Sequence, residues 1–476
     1  MAESSGANLP NQLLPRPILD ERPDWLTLYD KAWEIASAGV KRGTADNGFV
    51  REYLDEGFSD NIFQWDTCHM MLFARYANGF VPSIVSLDNF YQSQSLDGTI
   101  CRELRESDGS DYWSLTSLDY TNPPLFSWAE WEYYRLTGDG SRFARVLPVL
   151  DRYFRWCKRN RTREDGMYYW NNLASGMDNL PRPEDENVGW VDYTTQQAMA
   201  AQYMSLMAAV TGYRELEARY EEEYAALSAL VNELCWDEED GYYYDIYEDG
   251  GHVKIKSAAS FWPMLAGVAS PSRAERLARH LENPAEFHRP HLFPALSADH
   301  TSYRESGDYW NGGVWAPTNV MYVKGLQKAG YEELATRAAI NHLDNMAEVF
   351  REVEPRTIWE NYSPERATPG EPARPDFVGW SGNGPITLLI ENIIGVRADG
   401  VDDTITWLPT LTGRHGIQNL RFGGNSADLI ALPRDSAETS LRIEVRAEAP
   451  FTLEVIYRGR SHSYDVGSGE TRLNVP

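Results

Sequence analysis

Positive charge is scarce in this chain: 44 Lys and Arg stand against 71 Asp and Glu, a net charge of −27. Such a deficit leaves nothing to neutralise phosphates and excludes a nucleic-acid binder. Cysteine is scarcer still. Cys68, Cys101, Cys157 and Cys235 are scattered and form no CxxC pair. They read as reduced, buried thiols of a cytoplasmic protein, Cys68 included. No apolar run reaches the ~18 residues of a membrane span. Residues 1 to 22 are polar and Pro-rich without an apolar h-region, so neither membrane association nor a secretory signal is expected. The chain also lacks a Ser nucleophile elbow, HExxH, a P-loop and a dinucleotide fingerprint. His69, His280, His288, His291 and His300 show no ligand spacing backed by nearby acids, so neither a metal nor a cofactor is expected.

What the chain has in quantity is aromatic surface, with 16 Trp and 27 Tyr. Such residues suit the stacking of sugar rings and also serve as core bulk. From Pro23 the apolar spacing is helical. Trp25, Leu28, Tyr29, Ala32, Trp33 and Ala36 share one face. Further helices are expected at Asp66–Ala77, Ile84–Gln94, Pro123–Leu136, Ser141–Lys158, Trp190–Thr211 and Tyr213–Leu234. The rest are Ser257–Gly267, Pro271–Leu281, Val314–Ala329, Tyr331–Arg351 and Gly382–Gly395. Twelve helices without a fixed-period repeat argue for six hairpins closed into an (α/α)6 toroid rather than a solenoid. After Gly395 the pattern changes to short β-branched stretches near 404–408, 428–432, 440–445 and 451–456. The chain is therefore expected to be mainly α, with a tail or strap at 1–22, a helical domain at 23–396 and a small β-sandwich module at 397–476.

Five loop segments carry the chemistry. Ala174-Ser-Gly-Met-Asp178-Asn-Leu-Pro-Arg182 places one carboxylate in a loop that Gly176 and Pro181 keep from being helical. Asp178 is equally suited to a turn or a helix cap. Asn61-Ile-Phe63-Gln-Trp65-Asp66 sets aromatics beside an acid that can cap the following helix or, with Trp65, hold a pyranose. Asn122 precedes Pro123-Pro124, a helix opening, with Trp128 following. Asp308-Tyr-Trp310-Asn311-Gly312-Gly-Val-Trp315 brings backbone and indoles together. Glu360 lies between Trp359 and Tyr362, upstream of Trp380, in surroundings that shift a carboxyl pKa. A Glu at a fraying helix end is the plain alternative. Two carboxylates on aromatic-rich loops are what glycoside hydrolysis requires: one protonates the leaving oxygen, and the other activates water or attacks.

Taken together, Phe63-Gln-Trp-Asp66, Ser175-Gly-Met-Asp-Asn-Leu-Pro-Arg182, Tyr309-Trp-Asn-Gly-Gly-Val-Trp315, Glu360-Asn-Tyr362 and Gly379-Trp-Ser381 resemble glycoside hydrolase family 63. The likeness includes its bacterial mannosylglycerate and glucosylglycerate hydrolase branch, with trehalases of family 37 more distant. It runs in order over about residues 60 to 396. The resemblance implies an inverting, exo-acting α-glycosidase on an (α/α)6 domain, with Asp178 as general acid and Glu360 as general base. Asp376 lies in the same closing region as Glu360. Phe63, Trp65, Asp66, Asn122, Trp310 and Trp315 would line the sugar subsite with Trp380 packed beside it, and Trp128, Arg182, Asn311, Gly312 and Tyr362 complete the expected binding set. The family often has Arg-Gly-Pro where this chain has Asn311-Gly312-Gly313, and Gln where it has Asn122, so sugar and aglycone stay open. A small carbohydrate is the expected partner, and a homo-oligomer is left open. The competing readings are a phosphorylase, a catalytically silent carbohydrate-binding toroid, and a lyase, the last disfavoured by the negative charge.

Overall fold

The computed structural model describes residues 13–184, 187–437 and 439–476, so the first twelve residues of the expected tail lie outside it. Six helices touch in sequence order and close on themselves. Gln64–Ala74 meets Phe126–Thr137, which meets Val191–Thr211, which meets Trp262–Leu265, which meets Ala316–Lys328. The last of these touches Ser381–Asn383 and Gly384–Ile394, which return to Gln64–Ala74. The helices that alternate with them along the chain are Pro23–Ala38, Asp88–Gln92, Phe143–Asn160, Arg214–Leu234, Pro271–Leu281 and Glu332–Glu352.

Burial separates the two sets. Every residue of Gln64–Ala74 and of Gly384–Ile394 is buried, as a helix enclosed on all sides must be. Arg214–Leu234 buries only Tyr220, Leu227 and Val231, a single stripe against its neighbour. Two inner members depart from regular helix. Pro263 starts a new turn, so the expected 257–267 helix divides into Ala258–Phe261 and Trp262–Leu265. Gly384–Ile394 is wound as a π-helix, a rare form frequent at functional sites.

One end of the ring is filled by a buried ionic knot. Arg75 pairs with Glu132 and Glu391, while Lys324 and the Tyr76 hydroxyl each donate to Glu391 at 2.8 Å. These residues come from four different inner elements, so the knot ties the ring across its middle. Beyond it lie the sheets. Gly400 N–H donates to the Arg135 carbonyl at 2.7 Å and Gly423 N–H to that of Leu136 at 2.9 Å, satisfying carbonyls at the end of the Phe126–Thr137 helix. The approach needs glycine. A Cβ on Gly400 would stand 2.3 Å from the Leu136 oxygen.

The C-terminal part forms two sheets. One orders Arg16–Leu19, His415–Phe422, Asn425–Ala431, Leu441–Ala447 and Gly469–Val475; the other orders Val396–Asp399, Thr404–Trp407, Phe451–Tyr457 and Arg460–Val466. Phe422 of the first meets Phe451 of the second, ring centroids 5.5 Å apart. Arg16–Leu19, expected as part of a tail or strap, is a strand paired antiparallel with His415–Phe422, Ile18 opposite Gly416. Arg460–Val466 and Gly469–Val475 escaped the sequence reading because they are edge strands with polar faces. All four cysteines are free and buried. Among the described residues no helix is long and apolar enough to cross a membrane.

Candidate active site

The loops leading into the inner helices bring the singled-out residues together. Asp66 lies in the first turn of Gln64–Ala74, and Asp178 follows the short helix Asn172–Ser175. Gly176 makes the turn between them tight: its φ is 77°, and a Cβ there would sit 2.5 Å from the Trp65 ring. The acid loop therefore rests directly on Trp65. Asp178 itself is open to solvent. Protein crowding around it pushes its carboxyl up to about 6, with Arg102 opposing and the charge of Glu360 adding. A carboxylic acid held near 6 carries its proton at mildly acidic pH and can deliver it.

Glu360 lies near enough for its charge to act on Asp178. It is buried, and its Oε1 accepts from the Tyr309 hydroxyl at 3.0 Å and from Arg374 Nη1 at 2.5 Å, while Oε2 accepts the Arg374 backbone N–H at 3.2 Å. Burial raises its pKa, and Arg374 and Tyr309 oppose that rise by stabilising the anion. Asp376, the alternative in the same region, is exposed and accepts from Thr357 on the far side of the loop. Asp66 is buried, and burial raises its pKa well above the usual carboxylate range; Glu360 and Asp178 raise it further and Arg102 lowers it. The three carboxylates thus share one electrostatic neighbourhood.

Indoles build the floor. Trp310 stacks on Trp315 with centroids 4.0 Å apart and planes 3° from parallel. Trp65 contacts Trp310 at 6.1 Å and Trp380 at 5.7 Å, and Trp380 Nε1 donates to the Glu360 carbonyl at 2.9 Å. Phe63 stacks on Phe58, which stacks on Phe377, and the Arg374 guanidinium lies 4.5 Å from the Phe58 ring. Asp308 and Tyr309 both hold positive φ, 34° and 61°, a strained pair that aims the Tyr309 hydroxyl at Glu360.

Several expected binding residues serve the scaffold instead. Arg182 is 4 % exposed and gives four N–H bonds, two to Asp192 and two to Asp245, while stacking on Trp190. Asn122 is buried and donates to the Ala174 carbonyl at 2.9 Å, holding the acid loop from below. Trp128 is buried against His69 and Trp262. Tyr362 works through its backbone, exchanging two hydrogen bonds with Val314 that join the Glu360 loop to the 308–315 loop. Asn311 Nδ2 donates to Asp308 at 3.0 Å, and Gly312, with φ 141°, packs its backbone on Tyr303.

Five residues beyond the expected set contribute. Tyr309 and Arg374 hold Glu360. Asn179 bridges the acid loop to Asp308 and Trp310. Arg102 serves Asp66 and Asp178. It is brought there because Asn61–Phe63 pairs with Glu103–Arg105 and Gln64 N–H donates to the Arg102 carbonyl at 2.8 Å. Glu56 is buried with both carboxyl oxygens enclosed and feels the charges of Asp55 and Asp66. Tyr309 and Asn179 sit inside the motifs already singled out. Arg102, Arg374 and Glu56 have no local pattern to mark them.

Comparison with known proteins places the family and the fold. The chain is 29 % identical over 425 residues to an uncharacterised protein of Borreliella burgdorferi, covering 86 % of this chain and 87 % of the other. The fold is similar to the GH63 mannosylglycerate hydrolase of Thermus thermophilus solved with glucose: TM-score 0.60, 19 % identity, 76 % of this chain and 99 % of that one. It is similar also to the neutral trehalase of Saccharomyces cerevisiae: TM-score 0.57, 15 % identity, 75 % of this chain and 79 % of that one. The sequence profile of the mannosylglycerate hydrolase MGH1-like glycoside hydrolase domain matches residues 57–381, from just ahead of Phe63 to just past Trp380. A profile match over that span, enclosing all three carboxylates, makes this chain a member of the MGH1-like glycoside hydrolase family.

Proposed function

We propose that the protein is an inverting, exo-acting α-glycoside hydrolase that releases glucose or mannose from a small α-glycoside or oligosaccharide. In this reading residues 23–396 form an (α/α)6 toroid, the ring of six inner helices inside six outer ones, and 397–476 a β-sandwich that closes its far end. Asp178 is the general acid and Glu360 the general base that activates water. Asp66, Phe63 and Trp65 receive the sugar, with the fully buried Trp310–Trp315 stack supporting Trp65 from behind.

The observation that carries the reading is the unequal treatment of the two carboxyls. Asp178 is crowded, open to solvent and pushed up to about 6, while Glu360 is clasped by Arg374 and Tyr309. Burial raises both carboxyls, but only Glu360 has a cation and a hydroxyl bonded to it that oppose the rise, an asymmetry that fits the acid–base division inversion uses. Bound sugar sits between them. As the glycosidic bond lengthens, Asp178 protonates the departing oxygen, and Glu360 takes a proton from water attacking the opposite face of the ring.

The test is proton NMR of the sugar first released from trehalose, kojibiose, nigerose, maltose, isomaltose, glucosylglycerate and mannosylglycerate. Initial β-anomer from one α-linked substrate is the expected result. Initial α-anomer would overturn inversion. Release from none would leave a binding protein or one specific for larger glycans. Arg374 and Tyr309 are the basic and hydroxyl groups near the base that a phosphorylase needs, although both are bonded to Glu360. A rate that depends on inorganic phosphate would favour that second reading.

A further inference from the structure

Three of the nine large apolar side chains exposed among the described residues, Leu96, Tyr112 and Leu115, fall in one connection, 93–117. The same connection supplies Arg102. Its guanidinium donates to the Leu173 carbonyl just ahead of the acid loop, and its charge acts on both Asp178 and Asp66. Glu360 is paired with Arg374, whose charge also reaches Asp178, so it is the Arg102–Leu173 bond that places 93–117 beside the Asp178 loop. The 93–117 connection therefore stands on the acid's side of the site. Because the acid protonates the departing oxygen, groups beyond it on that side meet the leaving group.

Trp113 is the fixed surface there. Its Nε1 donates to Glu103 Oε2 at 2.7 Å, and the other Glu103 oxygen is held by Asn61 at 2.7 Å. Arg102 lies 5.1 Å from its ring and the Tyr112 ring 5.4 Å away, edge-on. The indole is half-buried, immobilised and flanked by exposed apolar neighbours on the rim. A flat, rigid aromatic matches the C–H face of a pyranose. A small anion would need a free cation instead. Arg102 is 7 % exposed, bonded to a carbonyl and surrounded by Asp66, Asp178 and Glu103.

The geometry points to the 93–117 connection as the wall that receives the leaving group, with Trp113 as its platform, and to a leaving group that is itself a sugar ring. This rests on the glycosidase reading, so the experiment separates the two. Wild type and Trp113→Ala are compared on the best disaccharide of the panel and on α-glucosyl and α-mannosyl fluoride, whose departing fluoride needs no proton and carries no ring. The ratio of kcat/KM for disaccharide to that for fluoride is expected to fall about tenfold in Trp113→Ala, and Trp113→Phe to restore most of it. If Trp113→Ala loses its circular-dichroism signature, Trp113→Leu, which keeps bulk and removes the plane, serves in its place. An unchanged ratio overturns the proposal, whether both rates fall together or neither moves. So does a wild-type enzyme that cleaves a fluoride and glycosylglycerates but no disaccharide. A wild type inert on both fluorides and on every member of the panel overturns the glycosidase reading, and this inference with it.

Discussion

Asn179 holds Trp310 in place: its Oδ1 accepts the Trp310 backbone N–H at 2.8 Å, while its Nδ2 donates to the Asp308 carbonyl at 2.9 Å. The residue after the acid thereby fixes the loop that carries Tyr309, which in turn reaches Glu360. The proposed acid and base are thus linked through one side chain. Asn179→Ala is expected to lower kcat by about one to two orders of magnitude with little change in KM, since misplacement of reacting groups acts on the chemical step. Steady-state kinetics on the best substrate checks this, and a pure KM effect would refute it.

Asp178→Asn removes the proposed acid. Disaccharide hydrolysis should fall by about 10²–10⁴, with fluoride hydrolysis much less affected. The same change should stabilise the fold at neutral pH. The folded-state pKa of Asp178 lies above its ordinary value of 3.8, at about 6, so folding binds its proton. That contribution is complete below about 4 and is lost as pH rises through about 6. Asparagine carries no such charge, and thermal unfolding at pH 7.5 should show a higher midpoint for the variant.

With Glu360 as the proposed base, Arg374 is expected to set the acidic limb of the pH profile. Its cation lowers the pKa of Glu360, and the base works only when ionised. Arg374→Met should move the acidic limb of kcat/KM to higher pH and, because Arg374 also lowers Asp178, carry the alkaline limb upward by a smaller amount. The resulting bell is narrower. A fall of equal size at every pH would give Arg374 a different role.

Arg182→Leu tests the reassignment of that residue. Removing it leaves Asp192 and Asp245 buried without their cation, which costs about 3–5 kcal/mol of stability. Thermal or urea unfolding should show the loss. If Arg182 bound sugar instead, stability would hold and KM would rise.

Much of this was legible in the sequence where period or composition speaks. Helical spacing found all twelve stretches, because each buries a stripe or a whole circumference. Gly176 and Pro181 marked the acid loop for the same reason that they shape it. What escaped depends on distant partners. Arg182 looked like a sugar ligand because the carboxylates that occupy it lie at 192 and 245. Arg102 carries no local pattern, and only the pairing of Asn61–Phe63 with Glu103–Arg105 brings it beside Asp66. Asn122 and Trp128 lie beneath the site rather than in it, a difference of depth that spacing cannot express.

The strand at Arg16–Leu19 has a mechanical meaning. It precedes the helical ring in sequence yet completes a sheet whose other members all follow it, so the ring is spliced between two pieces of one β-structure. Neither part can be peeled away as an independent module without breaking the ladder to His415–Phe422 or baring the helix-end carbonyls that Gly400 and Gly423 cover. Cutting the chain near residue 396 would thus expose both halves, and the intact molecule should melt in a single calorimetric step.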